Sequence, residues 1–161
     1  MKKVFVTALA VLSAPVFAAN WLPLATDSTN SFVYSINVDT LQKYPNEVVF
    51  LLAETNNKTE WPFDIRMASV RVNCALKLYS QQGESESFLK GKKTETKYPF
   101  LNKSALTAQK GTVVYEIIKD VCSNIHLKYE PSNVSSILEL TELTKNQLSK
   151  AIELTSKRGT K

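Results

Sequence analysis

The two cysteines, read with the residues around them, constrain this chain more than any other feature. Cys74 lies in an alternating run, Met67-Ala-Ser-Val-Arg-Val-Asn-Cys-Ala-Leu-Lys-Leu-Tyr79. Side chains alternate with period two along a strand, so Ala68, Val70, Val72, Cys74, Leu76 and Leu78 are expected to share one face. Cys122 ends Val113-Val-Tyr-Glu-Ile-Ile-Lys-Asp-Val-Cys, where Val114, Ile117, Ile118, Val121 and Cys122 repeat with the spacing of a buried helical stripe. Each cysteine leaves an apolar face, and a bond between them would pin a helix onto a sheet.

The start of the chain sets the expected compartment. Lys2 and Lys3 precede an apolar run from Val4 to Leu12, and Val16-Phe17-Ala18 supplies small residues at a cleavage position. Residues 1–18 therefore read as a signal peptide, too short in its apolar part for a stable anchor. No cysteine stands at the exit to carry a lipid. Removing Lys2 and Lys3 lowers the formal charge from +5 to +3, a mildly basic mature chain. In an exported chain, two cysteines favour a disulfide over a metal site or a catalytic thiol. The expected localisation is the periplasm or the cell surface.

Further strands are expected at Trp21-Leu-Pro-Leu24, with Pro23 at an edge, at Phe32–Asn37 and at Glu47–Ala53. Asp39-Thr-Leu41 reads as a capped helical turn. Gln81-Gln-Gly-Glu84 reads as a turn before a weaker strand over Ser85–Leu89. Strands in succession followed by one helix make an α+β pattern with an antiparallel sheet of about five to six strands. After Pro131, Ser136-Ile-Leu-Glu139 has the spacing of a capping box, and Ile137, Leu140, Leu148 and Ile152 form a partial stripe. The spacing predicts a helical tail over 129–161, after a domain over 19–128, with its destination left open.

The ordered set Trp21, Tyr34-Ser-Ile36, Asp39-Thr-Leu41, Val70-Arg-Val-Asn-Cys74, Tyr79, Gly83-Glu84, Gly111-Thr-Val-Val-Tyr115 and Val121-Cys122 resembles the surface-adhesin protein E family of Gram-negative bacteria. The resemblance runs from Trp21 to Asn124. It implies a PAS-like antiparallel sheet with a C-terminal helix tied to it by a disulfide. It also implies adhesion through host matrix glycoproteins such as vitronectin and laminin. The adhesin is a lipoprotein, whereas this chain has no lipidation cysteine and carries an additional tail.

The sequence offers little for catalysis. His126 is the single histidine, which excludes a multi-histidine metal site, and no metal ligand set or cofactor motif stands out. Four scattered glycines make no phosphate cradle. With both cysteines oxidised, no thiol nucleophile remains. A net charge of +3 on an exported chain argues against nucleic acid. The charge cluster is Lys90, Lys92, Lys93, Lys97, Lys103 and Lys110 against Glu95. Of these, Lys90, Lys92, Lys93 and Lys97 are the candidate contacts for anionic glycans or an acidic protein segment. Trp61 and Phe63 in Trp61-Pro-Phe63 are candidate aromatic anchors, and the bland alternative folds them over a sheet edge. The expectation is a non-enzymatic binding module. The alternative is a small-ligand or accessory domain with a pocket under the helix.

Overall fold

The structure is a computed structural model that describes residues 19–27, 31–57, 62–94, 105–124 and 130–158, with backbone alone for 148 and 150–158. Residues 1–18 and the candidate contacts Trp61 and Lys97 lie outside the described residues, as does His126.

The described strands are β1 (Ala19–Thr26), β2 (Phe32–Lys43), β3 (Glu47–Asn56), β4 (Ile65–Asn73), β5 (Leu78–Leu89), β6 (Lys92–Lys93), β7 (Leu106–Thr107) and β8 (Ser132–Val134). The helices are α1 (Val113–Ser123) and α2 (Ile137–Arg158). All strand pairs are antiparallel, in the order β6-β5-β4-β3-β2-β1-β8, with β7 on the outer side of β5. This is an α+β fold. The strands beyond the expected five or six are two or three residues long, too short to carry a pattern of alternation. Pro23 lies in β1 past the reach of β8, which pairs only with Ala19, Asn20 and Trp21, so its missing N–H leaves no gap in that ladder.

The sheet buries both faces. On face A, Leu22, Ile36, Val48, Phe50, Leu52, Ala68, Val70 and Val72 meet Ile117, Ile118 and Val121 of α1. On face B, Trp21, Ala53, Ile65 and Met67 meet Ile137 and Leu140 of α2. The tail is thus no detached extension: β8 adds to the sheet and α2 packs across its second face. A flat sheet would place β8 about 24 Å from β5, five gaps of about 4.8 Å. Leu138 follows β8 by four residues, a reach of at most about 14 Å. Yet its Cβ lies 3.5 Å from where a Cβ on Gly91, just past β5, would stand. The sheet is therefore rolled around face B.

Three local expectations are corrected. The alternating run does not remain one strand to Leu78: β4 ends at Asn73, and 74–77 turn the chain. Asn73 Oδ1 accepts from Leu76 N at 2.9 Å, and Lys77 takes a positive φ of 54°. Asp39 caps no helix; it lies in β2, and its carboxylate accepts from Asn20 N (2.8 Å) and Asn20 Nδ2 (3.0 Å). Gln81–Glu84 makes no connection between strands. Gly83 (φ 75°) sits in a bulge of β5, where the register passes from Ser69↔Gln82 to Met67↔Glu86.

Cys74 and Cys122 are disulfide-bonded with Cα atoms 5.6 Å apart, so the last turn of α1 is tied to the β4–β5 turn. α1 starts at Thr112, whose Oγ1 accepts from Tyr115 N, and stops at Asn124 in the left-handed region (φ 59°).

Candidate functional site

The lysine cluster is carried by the β5–β6 hairpin. Leu89 pairs with Lys92 across a two-residue turn in which Lys90 (φ 50°) and Gly91 (φ 74°) both have positive φ. That combination suits the right-handed twist of the strands, and glycine adopts it without a Cβ penalty. Lys90 adopts it under constraint: its backbone N–H donates to Asp64 Oδ2 at 2.6 Å. Thr94 closes the other end, its N–H donating to Ser87 O at 2.8 Å. The side chains of Lys90, Lys92 and Lys93 are exposed. Lys92 shares a face with its register partner Leu89, and Lys93 shares the other with Phe88 and donates to Glu86 Oε1. The hairpin therefore shows positive charge on both sides.

A further lysine joins them from a distant part of the chain. Lys145 of α2 places Nζ 3.8 Å from Asp64 Oδ1, so one carboxylate holds both the hairpin and the helix. No local signal marks this meeting, because 55 positions separate Lys90 from Lys145. Lys110, by contrast, is exposed just before α1.

Phe63 is not on the surface. It is fully buried, Asn56 Nδ2 donates to its carbonyl at 3.1 Å, and the Arg66 guanidinium lies 5.1 Å over its ring. An apolar ring covered by a cation and clamped through its backbone cannot anchor a partner, which removes Phe63 from the candidate contacts.

Arg66 belongs to a polar row crossing face A. The register pairs Tyr34 with Glu54, Glu54 with Arg66, and Arg66 with Ser87, so one level of four strands is polar. Tyr34 Oη donates to Glu54 Oε1 at 2.9 Å, and Arg66 donates to Oε2 through Nε at 2.8 Å and through Nη2. Burial, then the adjacent Glu54 carboxylate, push the Tyr34 hydroxyl far above the usual tyrosine range. The carboxylate is compensated on both oxygens, as a buried charge must be. The hydrogen bonds of this row are made among its own side chains.

Two clefts flank the start of α1. One of about 450 Å³ is lined by Tyr79, Leu106, Ala108, Gln109 and Val114, among others, with no charged side chain. The other, about 470 Å³, includes Asp27 and Glu116. Asp27 Oδ1 already accepts from Ser31 N and Phe32 N, at 2.6 and 2.7 Å. Among the described residues no cluster of three or more His, Cys, Asp or Glu could hold a metal ion, and no helix is long and apolar enough to cross a membrane.

No family model matches the chain, and no curated protein matches it. Among solved structures, crystal form II of Haemophilus influenzae protein E is similar at 17% identity and a TM-score of 0.45, over 64% of this chain and 97% of that one. At that score the likeness carries no weight for function.

Proposed function

We propose that the chain is an exported, non-enzymatic binding module that contacts an anionic partner through the β5–β6 hairpin. One observation supports this above the others: Lys90, Lys92 and Lys93 stand exposed on a turn fixed from below by Asp64, which also draws in Lys145. Fixing the backbone in advance lowers the ordering cost of binding, while the exposed side chains of Lys90 and Lys92 are presented to a flexible polyanion and Lys93 exchanges its exposed Glu86 partner for it. The leader-like residues 1–18 and the Cys74–Cys122 bond support export to an oxidising compartment, the periplasm or the cell surface. The resemblance of the sequence extends the reading to a PAS-like domain that engages host matrix glycoproteins or their anionic glycans.

The test is retention on immobilised heparin and laminin. The parent chain should bind at low salt and elute as salt rises, because exposed charges are screened over about 10 Å at 0.1 M. Replacing Lys90, Lys92, Lys93 and Lys97 by Gln should abolish retention. The melting temperature should barely move, since the exposed Lys93–Glu86 pair contributes at most about 1 kcal/mol. Retention that survives the four substitutions would overturn the assignment.

The uncharged cleft beside α1 favours a second reading, a small-ligand domain. Its apolar walls with a few polar groups are what a neutral small molecule would use. Saturable binding of a neutral fluorescent probe such as N-phenylnaphthylamine, weakened by Val114→Trp, would support it.

A further inference from the structure

We propose that α2 is a displaceable cover, and that it lifts from face B as a unit before the rest of the fold opens. This rests on the packing beneath the two helices; the Lys145–Asp64 pair that links α2 to the lysine hairpin would separate when the helix lifts.

The two helices are held in different ways. α1 lies on apolar side chains, Leu22, Ile36, Phe50, Leu52 and Val70 among them, and the Cys74–Cys122 bond ties it down. α2 has no covalent crosslink, only the partly exposed Lys145–Asp64 ion pair, and its seat is mixed. Ile137 and Leu140 reach Trp21, Ala53 and Met67. Thr141 and Thr144 are buried as well, and return their hydroxyls to their own helix, to Ile137 O at 2.8 Å and Leu140 O at 2.9 Å. In the strands, Ser35 is the register partner of Ala53, and Thr55 that of Ile65, so both hydroxyls emerge on face B. Ser35 is 0% exposed and Thr55 1%. Ser35 Oγ, Thr55 Oγ1 and Gln147 Oε1 of α2 are buried with no hydrogen-bond partner among the described residues.

A buried hydroxyl without a partner penalises the closed state, and water relieves that penalty once the helix lifts. The groups that weaken the docked form therefore favour the open one. Local opening occurs where buried apolar contacts are few, and the unpaired polar groups under α2 lower its cost further. The open form would uncover Trp21, Ile65 and Met67, an apolar strip that α2 otherwise occupies.

Hydrogen exchange of the full chain, read by mass spectrometry, tests this. Amides over 140–147 should exchange through an opening at least about tenfold faster than those of β3 and α1. Ser35→Ala with Thr55→Val removes both hydroxyls at nearly constant shape and should slow exchange in α2 about tenfold. Acrylamide quenching of Trp21 in a Trp61→Phe chain, where Trp21 is the single tryptophan, reads the same motion. Quenching should rise with urea before protection in β3 is lost. Exchange of α2 at the rate of β3, an unchanged α2 rate in the double variant, or quenching that rises only with global unfolding would each overturn the proposal.

Discussion

Tyr34, Glu54 and Arg66 show how little of a site is written in single residues. Each stands on a different strand, and nothing in the spacing 34, 54, 66 signals that the register will line them up. The aromatic Phe63 reads as a loop anchor for a similar reason: sequence shows a ring on a loop and hides the Arg66 cation that lies over it. The row makes a prediction at this scale. The Tyr34 hydroxyl is held neutral in the folded state, by burial first and then by the Glu54 carboxylate, whereas in the unfolded chain it ionises at about 10. Its folded pKa is raised, so its contribution to stability is complete below about pH 10 and is lost as pH climbs from there toward the folded value. Tyr34→Phe should lower stability at neutral pH by about 1–2 kcal/mol, through the bond lost to Glu54. It should also flatten the fall in melting temperature above pH 10. Melting curves from pH 7 to 11 for both chains would show this, and equal alkaline slopes would contradict it.

At the scale of elements, periodicity was informative where an element meets one apolar surface. The helical spacing over Val113–Cys122 matches α1, and the apolar alternation of β3 and β4 matches face A. It misled where alternation continued through a turn. Cys74-Ala-Leu-Lys77 contains neither Gly nor Pro, and the turn is made by the Asn73 side chain, the one residue whose chemistry signals it. The stripe of α2 was readable but its destination was not, because Thr141 and Thr144 are polar by composition and buried by position. The disulfide links two elements that sequence places far apart. Closing a loop of 48 positions should contribute about 4 kcal/mol on the chain-entropy account. Cys74→Ser with Cys122→Ser should therefore lower the unfolding free energy by roughly 2–5 kcal/mol in urea titrations. A loss below about 1 kcal/mol would mean that α1 is held by packing alone.

At the scale of the whole molecule, the rolled sheet is what turns separate charges into one surface. It brings the start of α2 against the β5–β6 turn and Lys145 to Asp64, so the basic region combines a hairpin with a helix. Linear sequence places Lys97, Lys103 and Lys110 with the hairpin and leaves Lys145 out, because curvature has no local signature. The basic hairpin and the cleft beside α1 lie in different parts of this molecule. Lys90 and Lys145 meet at Asp64, while the cleft is walled by Tyr79, Leu106 and Val114. Chemical-shift mapping of the backbone amides of the full chain during titration with a heparin oligosaccharide separates them directly. Binding through the hairpin should produce saturable shifts centred on 89–94 and 145 that vanish as salt is raised. Shifts centred on 106–116 and insensitive to salt would contradict it.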